Sequence, residues 1–230
     1  MLDYDELIRA ARKEIAAEYA MDHQHPWVVG FSGGKDSTLV AHLVIEHLMS
    51  IPRSERTRQV HIVANDTLVE SPLVIGHIKQ VQAEIERAAS AFDLPVTVAV
   101  TTPDSDHTFW VNLIGRGYPS PNRTFRWCTD RMKIQPTSRY VRHQAKIAGQ
   151  VILLLGVRRS ESATRAASVA RYDNGERLNR HNDLEGCLVF RPIVELSTDD
   201  VWEFLSSERP PWGGDHKRLI KLYRDAGGGE

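Results

Sequence analysis

Residues 27–40 read WVVGFSGGKDSTLV, and this stretch decides the fold. It begins as a short apolar run typical of a buried strand, turns through Gly33 and Gly34, and continues with Leu39 and Val40 at helical spacing. Two glycines between a strand and a helix let the backbone approach a ligand closely and direct successive N–H groups toward it, and the helix dipole adds positive potential. The stretch therefore predicts an anion site suited to phosphate.

Two phosphate-binding motifs compete for this turn. A Walker A loop requires G-x-x-x-x-G-K-[ST], but Val29 stands where its first glycine belongs and Asp36 follows the lysine. The pattern S-G-G-x-D-S is complete at residues 32–37 and resembles the signature of the PP-loop ATP pyrophosphatases, which cleave ATP to AMP and pyrophosphate. A turn that merely caps a helix would require only the glycines and one capping residue. The resemblance implies nucleotide contacts for Ser32, Gly33, Gly34, Lys35, Asp36, Ser37 and Thr38.

The composition is that of an ordinary globular protein. The chain has 230 residues, of which 41% are hydrophobic and 26% charged, and its formal net charge is −1. No apolar run approaches the roughly 20 residues of a membrane span, and the N-terminus lacks the apolar core of a signal peptide. Cys128 and Cys187 are too few for a disulfide framework. We therefore expect a cytoplasmic protein without a membrane partner, folded as one domain over residues 1–230 with its core at about residues 25–205.

Strand and helix patterns alternate along the chain. Further strand patterns lie at residues 60–64, 96–100 and 151–155. Helix patterns lie at residues 3–21, 72–91 and 197–205. This alternation predicts an α/β fold with a parallel twisted sheet and helices on both faces, where ligands lie at the carboxyl ends of the strands. Residues 171–186 are polar and predict a mobile loop.

Acidic residues follow the second predicted strand. Residues 65–70 read NDTLVE, in which Asp66 and Glu70 are suited to magnesium and Asp66 with Thr67 to nucleotide contact. A turn in which Asp66 and Ser71 act as helix N-caps would explain the same residues. Because this strand end lies one crossover from the turn at residues 32–37, we expect it to belong to the same site.

The middle of the chain is strongly basic. Residues 115–146 carry eight Arg and Lys residues and one acid, Asp130. Four aromatic residues are interleaved with them: Tyr118, Phe125, Trp127 and Tyr140. Basic residues with aromatics suit a phosphate-rich partner such as DNA. A solvated helix face would explain Arg139, Arg142 and Lys146 equally well.

One cysteine lies inside this basic stretch. Cys128 stands among arginines in residues 122–131, and such surroundings favour the thiolate that acts as a nucleophile or a metal ligand. A packed cysteine beside Trp127 is the alternative. Cys187, in an apolar run, is expected to be structural.

A second arginine-rich loop follows the strand at residues 151–155. It begins at Gly156, and its Arg158 and Arg165 are suited to clamping a phosphate. Like residues 32–37 and 65–70, this loop comes directly after a strand, so we expect it at the same edge of the sheet.

Four blocks together resemble one family: residues 32–37, 65–70, 126–133 and 156–165. They are similar to the phosphoadenosine-phosphosulfate-reductase-like enzymes. The run RWCTDRMK, with WGGD and LYR near the end, resembles the DNA phosphorothioation sulfurtransferases of the DndC/SspD type. The resemblance covers about residues 25–225. It implies an enzyme that uses ATP and Mg²⁺ to activate a DNA backbone phosphate and releases pyrophosphate. A sulfur atom relayed from a cysteine desulfurase then replaces a non-bridging oxygen. The resemblance also implies that other phosphorothioation proteins are partners.

The resemblance also implies roles for single residues. The turn cradles the leaving pyrophosphate, Lys35 neutralises phosphate charge, and Asp36 sets the loop geometry or binds magnesium. Residues Asp66, Thr67 and Gly156 join the nucleotide contacts. Arg126, Arg158 and Arg165 bind the DNA phosphate. Cys128 carries the sulfur or, as in many relatives, ligates a [4Fe–4S] cluster with three later cysteines. No cysteine follows Cys187, so the resemblance implies either that no cluster is present or that its other ligands lie beyond Glu230.

Two other functions stay open on the sequence. The first is another PP-loop enzyme of sulfur metabolism, such as a phosphoadenosine-phosphosulfate reductase, a sulfate adenylyltransferase subunit or a tRNA thiolase. The reductase would be expected to carry a C-terminal redox cysteine and the thiolase a C-x-x-C pair, and this sequence has neither. The second is a non-catalytic nucleotide-binding subunit, which pyrophosphate release with and without DNA would distinguish from an enzyme.

Overall fold

The computed structural model describes residues 3–122, 124–172 and 175–226, and a six-stranded sheet lies at the centre of this part of the chain. The strands are β1 (Trp27–Gly30), β2 (Val60–Asn65), β3 (Val96–Thr101), β4 (Val151–Leu154), β5 (Leu178–Arg180) and β6 (Cys187–Phe190). Their order is β3-β2-β1-β4-β6-β5. All neighbours are parallel except β5, which pairs antiparallel with β6 at the edge. The predicted α/β fold is confirmed, with one antiparallel edge strand added.

The helices described begin with one before β1, and the others lie between and after the strands. They are α1 (Tyr4–Tyr19), α2 (Lys35–Ser50), α3 (Pro72–Phe92), α4 (Trp127–Thr129), α5 (Gln135–Ala148), α6 (Ala163–Tyr172), α7 (Thr198–Ser207) and α8 (Lys217–Asp225). A π-helical stretch, Asp130–Ile134, joins α4 directly to α5. Over the residues described, none of these helices combines the length and the apolar character that a bilayer crossing requires.

Helices cover both faces of the sheet, as predicted. The larger apolar cluster packs α1, α2, α3 and α7 on one face, and α5 packs on the other through Val141 and Ala145. Neighbouring strand residues divide between the two: Val29 belongs to the larger cluster and Val28 to the smaller. Both faces of the central strands are therefore buried. This explains why their sequences are continuously apolar rather than alternating.

The predicted element boundaries agree closely with the structure. The strands and helix predicted at residues 60–64, 72–91, 96–100 and 151–155 end within one residue of the observed ones. Ser71 caps α3 through a hydrogen bond from the backbone of its first turn. Ser197 caps α7 in a reciprocal capping box with Asp200. These polar caps satisfy backbone N–H groups that a helix leaves unpaired at its start.

The loop predicted over residues 171–186 is wrong in part. Helix α6 continues to Tyr172, and Leu178–Arg180 forms strand β5 against β6. Asn179 in this strand is buried, and its side-chain oxygen accepts a hydrogen bond from Arg191 at 2.8 Å. Residues 173–174 lie outside the described residues. The polar side chains of residues 171–186 favour a loop on local sequence alone. Strand β5 forms because its backbone pairs with β6, and a local pattern does not contain that pairing.

The strand order reverses between β1 and β4. Strands β2 and β3 lie on one side of β1, whereas β4 and β6 lie on the other. The chain therefore leaves the carboxyl ends of β1 and β4 in opposite directions, which opens a crevice between the loops that follow them. The predicted turn at residues 32–37 and the loop at residues 156–165 lie on the two sides of this crevice.

Candidate functional site

The turn after β1 is held by hydroxyl groups. The Ser37 hydroxyl donates to the Gly34 carbonyl at 3.0 Å and accepts the backbone N–H of Ser32 at 3.2 Å. The Ser32 hydroxyl lies 3.1 Å from that of Ser37 and accepts the Gly34 N–H at 3.4 Å. Both serines of the motif therefore fix the shape of the loop. Ser32 also faces the cavity described below.

The two glycines of the turn are required by close contacts. Gly33 has a φ of +73°, and a Cβ there would lie 2.5 Å from Cγ1 of Ile78 in α3. A Cβ on Gly34 would lie 3.0 Å from the hydroxyl of Tyr223 in α8. That hydroxyl accepts the backbone N–H of Lys35 at 3.3 Å, and the Lys35 ammonium lies 5.5 Å from the centre of the tyrosine ring. Helices α3 and α8 thus press on the loop from outside.

The acidic residue of the motif forms an ion pair with a buried arginine. Asp36 accepts the Nε–H of Arg158 at 2.6 Å, and the Arg158 side chain is only 1% exposed. The remaining guanidinium N–H groups donate to Ser160, to the Leu196 carbonyl and to Thr198. The sequence predicts that Arg158 contacts a DNA phosphate, but its buried guanidinium is not placed to do so. It fixes Asp36 at the start of α2 instead.

Gly156 and Thr38 support the loop rather than line the site. A Cβ on Gly156 would lie 2.8 Å from the carbonyl carbon of Asp36, so the end of β4 touches the first turn of α2 backbone to backbone. Thr38 is 1% exposed in the core below that turn. Neither residue lines the cavity, although the sequence predicts nucleotide contacts for both.

A cavity of about 700 Å³ opens at the carboxyl ends of β1, β2 and β4. Five predicted site residues line it: Ser32, Gly33, Gly34, Glu70 and Arg165. Its size is within the range of ordinary small-molecule sites. Its floor is the turn at residues 32–37, called the anion loop below. Apolar residues of α3 and α8 form one wall. The cavity suits a ligand that combines an anionic group with a flat apolar one.

Other cavity residues are not among the predicted contacts. Those with polar side chains are Asn65, His77, Lys133, Thr137 and Tyr223. The Asn65 side-chain oxygen accepts from Thr137 at 3.0 Å and also from Thr101. A sequence signal existed for His77, a histidine among the apolar residues of a helix. Tyr223 belongs to the LYR motif near the end of the sequence, which carried the resemblance but assigned it no contact, and for Thr137 no local signal exists.

Cys128 lies in a smaller cleft beside the cavity. This cleft has a volume of about 340 Å³ and is also lined by Thr67, whose hydroxyl is buried without a hydrogen-bond partner among the described residues. Glu70 and Lys133 form an ion pair of 3.0 Å and line both the cleft and the cavity. The cleft of the thiol and the larger cavity therefore share a wall.

The opposite side of Cys128 opens into a groove that contains Arg126. Cys128 is half-buried, whereas Arg126 is exposed. Next to it Trp127 is 7% exposed, stacks on Phe109 and donates its ring N–H to the Pro119 carbonyl at 3.0 Å. The packed residue of this motif is therefore the tryptophan, and the cysteine faces open space.

The basic stretch is partly neutralised within the protein. Three of its cations form ion pairs, namely Arg116 with Asp106, Lys133 with Glu70 and Arg139 with Asp104. Arg126, Arg142 and Lys146 are exposed. Arg123 lies outside the described residues. A phosphate-rich partner would thus meet fewer unpaired cations than the sequence suggests.

The residues present fit magnesium but not an iron–sulfur cluster. Mg²⁺ takes one or two carboxylates together with nucleotide phosphates and water, and Glu70 offers one on the cavity wall. Asp66 lies off this wall and accepts the Leu68 N–H at 2.9 Å. A [4Fe–4S] cluster needs four ligands, usually cysteines. Cys187 is the first residue of β6 and lies at the amino ends of the parallel strands, opposite the site, so Cys128 has no second thiolate nearby among the described residues.

Cys187 is structural, as the sequence predicts. It is 4% exposed in the smaller apolar cluster. Burial raises the pKa of its thiol to about 11. It is therefore a neutral thiol at physiological pH, unsuited to nucleophilic chemistry.

The chain is similar to a known protein domain and to one curated protein. A model of the phosphoadenosine phosphosulfate reductase domain matches residues 26–212. An uncharacterized protein of Methanocaldococcus jannaschii is 24% identical over 187 residues, which are 81% of this chain and 32% of that protein. The chain thus spans about a third of the length of this curated relative.

Similar folds occur among solved structures. The phosphoadenylyl-sulfate reductase of Candida auris, in a phosphate complex, has a TM-score of 0.53 at 12% identity, over 96% of this chain and 93% of that one. The NAD⁺ synthetase of Burkholderia pseudomallei has a TM-score of 0.56 at 12% identity, over 96% and 71%. The U34-tRNA thiolase NcsA of Methanococcus maripaludis, with its [4Fe–4S] cluster, has a TM-score of 0.51 at 12% identity, over 96% and 73%. At such identities the likeness concerns the fold alone.

Proposed function

Because this chain belongs to the phosphoadenosine phosphosulfate reductase domain family of the PP-loop superfamily, we propose that it is an ATP-dependent sulfurtransferase acting on the DNA backbone. It transfers AMP from ATP to a backbone phosphate, releases pyrophosphate, and then replaces a non-bridging oxygen by sulfur. The observation that carries the proposal is the shared wall. Glu70 and Lys133 line both the larger cavity and the cleft of Cys128, so a phosphate activated in the cavity would lie next to the sulfur carrier.

The first step is activation of the phosphate. A non-bridging oxygen of the DNA attacks the α-phosphorus of ATP, and pyrophosphate leaves. The anion loop, with Lys35 and Arg165 nearby, binds the negative charge that develops on the leaving group. Magnesium held by Glu70 would supply further charge neutralisation. After this step the DNA phosphorus carries AMP, which is a good leaving group. Without activation, a non-bridging oxygen of the phosphodiester would have to leave by itself, and it is a very poor leaving group.

The second step is sulfur transfer. The terminal sulfur of a Cys128 persulfide, loaded by a cysteine desulfurase, attacks the activated phosphorus, and AMP leaves with the original oxygen. A second, external thiol then cleaves the S–S bond. This leaves the phosphorothioate on the DNA and a mixed disulfide on Cys128, which a further thiol reduces. Arg126, in the groove on the other side of Cys128, is the cation best placed to orient the DNA phosphate.

Sulfur incorporation and pyrophosphate release test the proposal separately. Purified protein, ATP, Mg²⁺, DNA, a cysteine desulfurase and a thiol reductant are combined. Pyrophosphate is measured with and without DNA, and phosphorothioate is detected by mass spectrometry after nuclease digestion. We expect pyrophosphate release that depends on DNA, and we expect Cys128→Ser to lose sulfur incorporation while it still binds ATP.

The matched control is Cys187→Ala, which removes the other cysteine, at the opposite end of the strands from the site, and should keep sulfur incorporation. Full incorporation by Cys128→Ser would exclude the cysteine from the reaction. Binding of ATP without any pyrophosphate release would favour the alternative of a non-catalytic nucleotide-binding subunit. Pyrophosphate release that ignores DNA would favour a different acceptor, as in the other enzymes of sulfur metabolism considered above.

A further inference from the structure

His77 lies in the wall of the larger cavity close to the Gly33 backbone, but without hydrogen-bond geometry to it. It belongs to α3 and is 4% exposed. Among the described residues neither of its ring nitrogens makes a hydrogen bond. The large majority of buried polar groups have a hydrogen-bond partner, so two ring nitrogens without one require an explanation.

The other buried histidines show the usual behaviour. His61, on β2, lies 2.9 Å from the Tyr140 hydroxyl through its Nδ1. His42 and His216 lie 3.4 Å apart, ring nitrogen to ring nitrogen. His77 is the exception among these four, and of the four it alone lines the cavity. An unpaired donor and acceptor at a ligand cavity are explained if the ligand supplies the partner.

The surroundings of His77 identify the part of the ligand concerned. A Cβ placed on Gly33 of the anion loop would lie 3.6 Å from Cδ2 of His77. The imidazole is therefore beside the loop that binds the anionic end of the ligand, not beside its apolar end. Its neighbour Ile78 fixes the position of α3 against the same glycine.

The ring is neutral in this position. Burial, and then the charge of Arg218, lower the pKa of His77 from its usual value. The Gly33 backbone and Glu84 oppose this shift to a smaller extent. A neutral imidazole has one N–H donor and one acceptor nitrogen. A phosphate oxygen accepts the former without any charge on the ring.

We propose that His77 is a nucleotide-binding residue whose imidazole N–H donates a hydrogen bond to a polyphosphate oxygen held by the anion loop. The inference rests on the proposed use of ATP and adds a contact that the loop motif does not contain. It predicts that His77 recognises the pyrophosphate part of ATP rather than the adenosine part. It also predicts that the residue is kept for binding at the expense of stability.

The variant His77→Phe tests both statements. Phenylalanine keeps a planar ring of similar size and removes both nitrogens. We expect the affinity for ATP and for inorganic pyrophosphate, measured by calorimetry, to fall about tenfold, as for the loss of one hydrogen bond to a charged group. The affinity for AMP should stay the same. The melting temperature without ligand should stay equal or rise, because no unpaired polar group remains buried.

Two further variants complete the test. His77→Gln keeps a side-chain N–H and should recover part of the pyrophosphate affinity. His61→Phe removes a buried, hydrogen-bonded histidine away from the cavity, so its melting temperature should fall while its ATP affinity is unchanged.

Equal ATP affinity of His77→Phe and wild type would overturn the inference, and so would a loss of AMP affinity as large as the loss of pyrophosphate affinity. If the wild-type protein binds neither ATP nor pyrophosphate, the proposed function itself fails, which is a distinct outcome.

Discussion

At the scale of single residues, the ion pair of Asp36 changes how the motif is interpreted. The sequence predicts that Asp36 sets the loop geometry or binds magnesium, and that Arg158 binds the DNA phosphate. In the structure these two side chains bind each other at 2.6 Å, with the guanidinium almost fully buried. Each is therefore the counter-charge that makes the other tolerable inside the protein. A loss of nucleotide binding on mutation of Asp36 would not by itself identify a ligand contact.

We predict that Asp36→Asn lowers the free energy of unfolding by about 3 kcal/mol, because it leaves a buried guanidinium without its counter-charge. Urea denaturation near neutral pH measures the loss. The double variant with Arg158→Met should lose less than the sum of the two single variants, since the charges are coupled.

Asp66→Asn is the matched control. The Asp66 carboxylate accepts only the neighbouring Leu68 N–H among the hydrogen bonds described, so we expect a loss below about 1 kcal/mol. Strictly additive losses in Asp36→Asn and Arg158→Met would show that the ion pair contributes nothing.

At the scale of elements, the site depends on how closely the end of β4 approaches the start of α2. Gly156 makes this contact, and its place directly after a strand identified it in the sequence only as a candidate nucleotide contact. The anion loop lies between β1 and α2, so any shift of the first turn of α2 moves the loop. The short α4 and the π-helical stretch after it similarly fix Cys128 beside the cavity.

Gly156→Ala is expected to destabilise the protein by about 2 kcal/mol, as for overpacking in a close-packed site. The new Cβ would lie 2.8 Å from the backbone of Asp36 and push the first turn of α2 away. The affinity for ATP should fall as well, and calorimetry and thermal melting measure the two effects.

Gly115→Ala serves as the comparison, because a Cβ there would meet only Val111 Cγ1 at 3.9 Å, an ordinary contact. It should change neither quantity. Wild-type affinity and melting in Gly156→Ala would show that β4 and α2 can separate without affecting the loop.

At the scale of the whole molecule, a pair of buried histidines connects the C-terminal segment to the central helix. His42 of α2 and His216, just before α8, both contact the Trp212 ring. Burial, with the partner histidine's charge next, lowers the pKa of His42 to about 3, and burial lowers that of His216 to about 4. Both rings are neutral in the folded protein over the physiological range.

This pair makes stability depend on pH in a defined direction. The unfolded chain binds protons at histidine near its ordinary pKa of about 6.5, whereas the folded chain does not until much lower pH. Stability is therefore fully present above about pH 6.5 and falls with decreasing pH down to the folded-state values. Each histidine contributes at most about 1.4 kcal/mol per pH unit in that window.

The variant His216→Gln should show a shallower fall of the unfolding free energy between about pH 7 and pH 5 than wild type, by up to about 1.4 kcal/mol per unit. Urea denaturation at several pH values measures the slope, and only the difference between the two proteins is interpreted because other groups titrate too. An unchanged slope would show that the pKa of His216 is the same in the folded and the unfolded chain.

The sequence by itself determined the class of fold, the main element boundaries and the place of the anion loop. These follow from local patterns, since hydrophobic periodicity, capping residues and paired glycines act within a few residues of one another. It also identified Cys187 as structural, and Glu70 and Arg165 as residues that the structure places on the cavity wall.

Only the tertiary structure decided which side chains meet. The ion pair of Asp36 with Arg158 joins residues 122 positions apart, and Tyr223 reaches the backbone of Lys35 across 188 positions. Strand β5 exists only through its pairing with β6. Such contacts depend on the order of the strands in the sheet and on the packing of α3 and α8 against the anion loop. No local pattern encodes these distances, so a motif residue such as Asp36 can serve the fold while His77, outside the motif, lines the cavity.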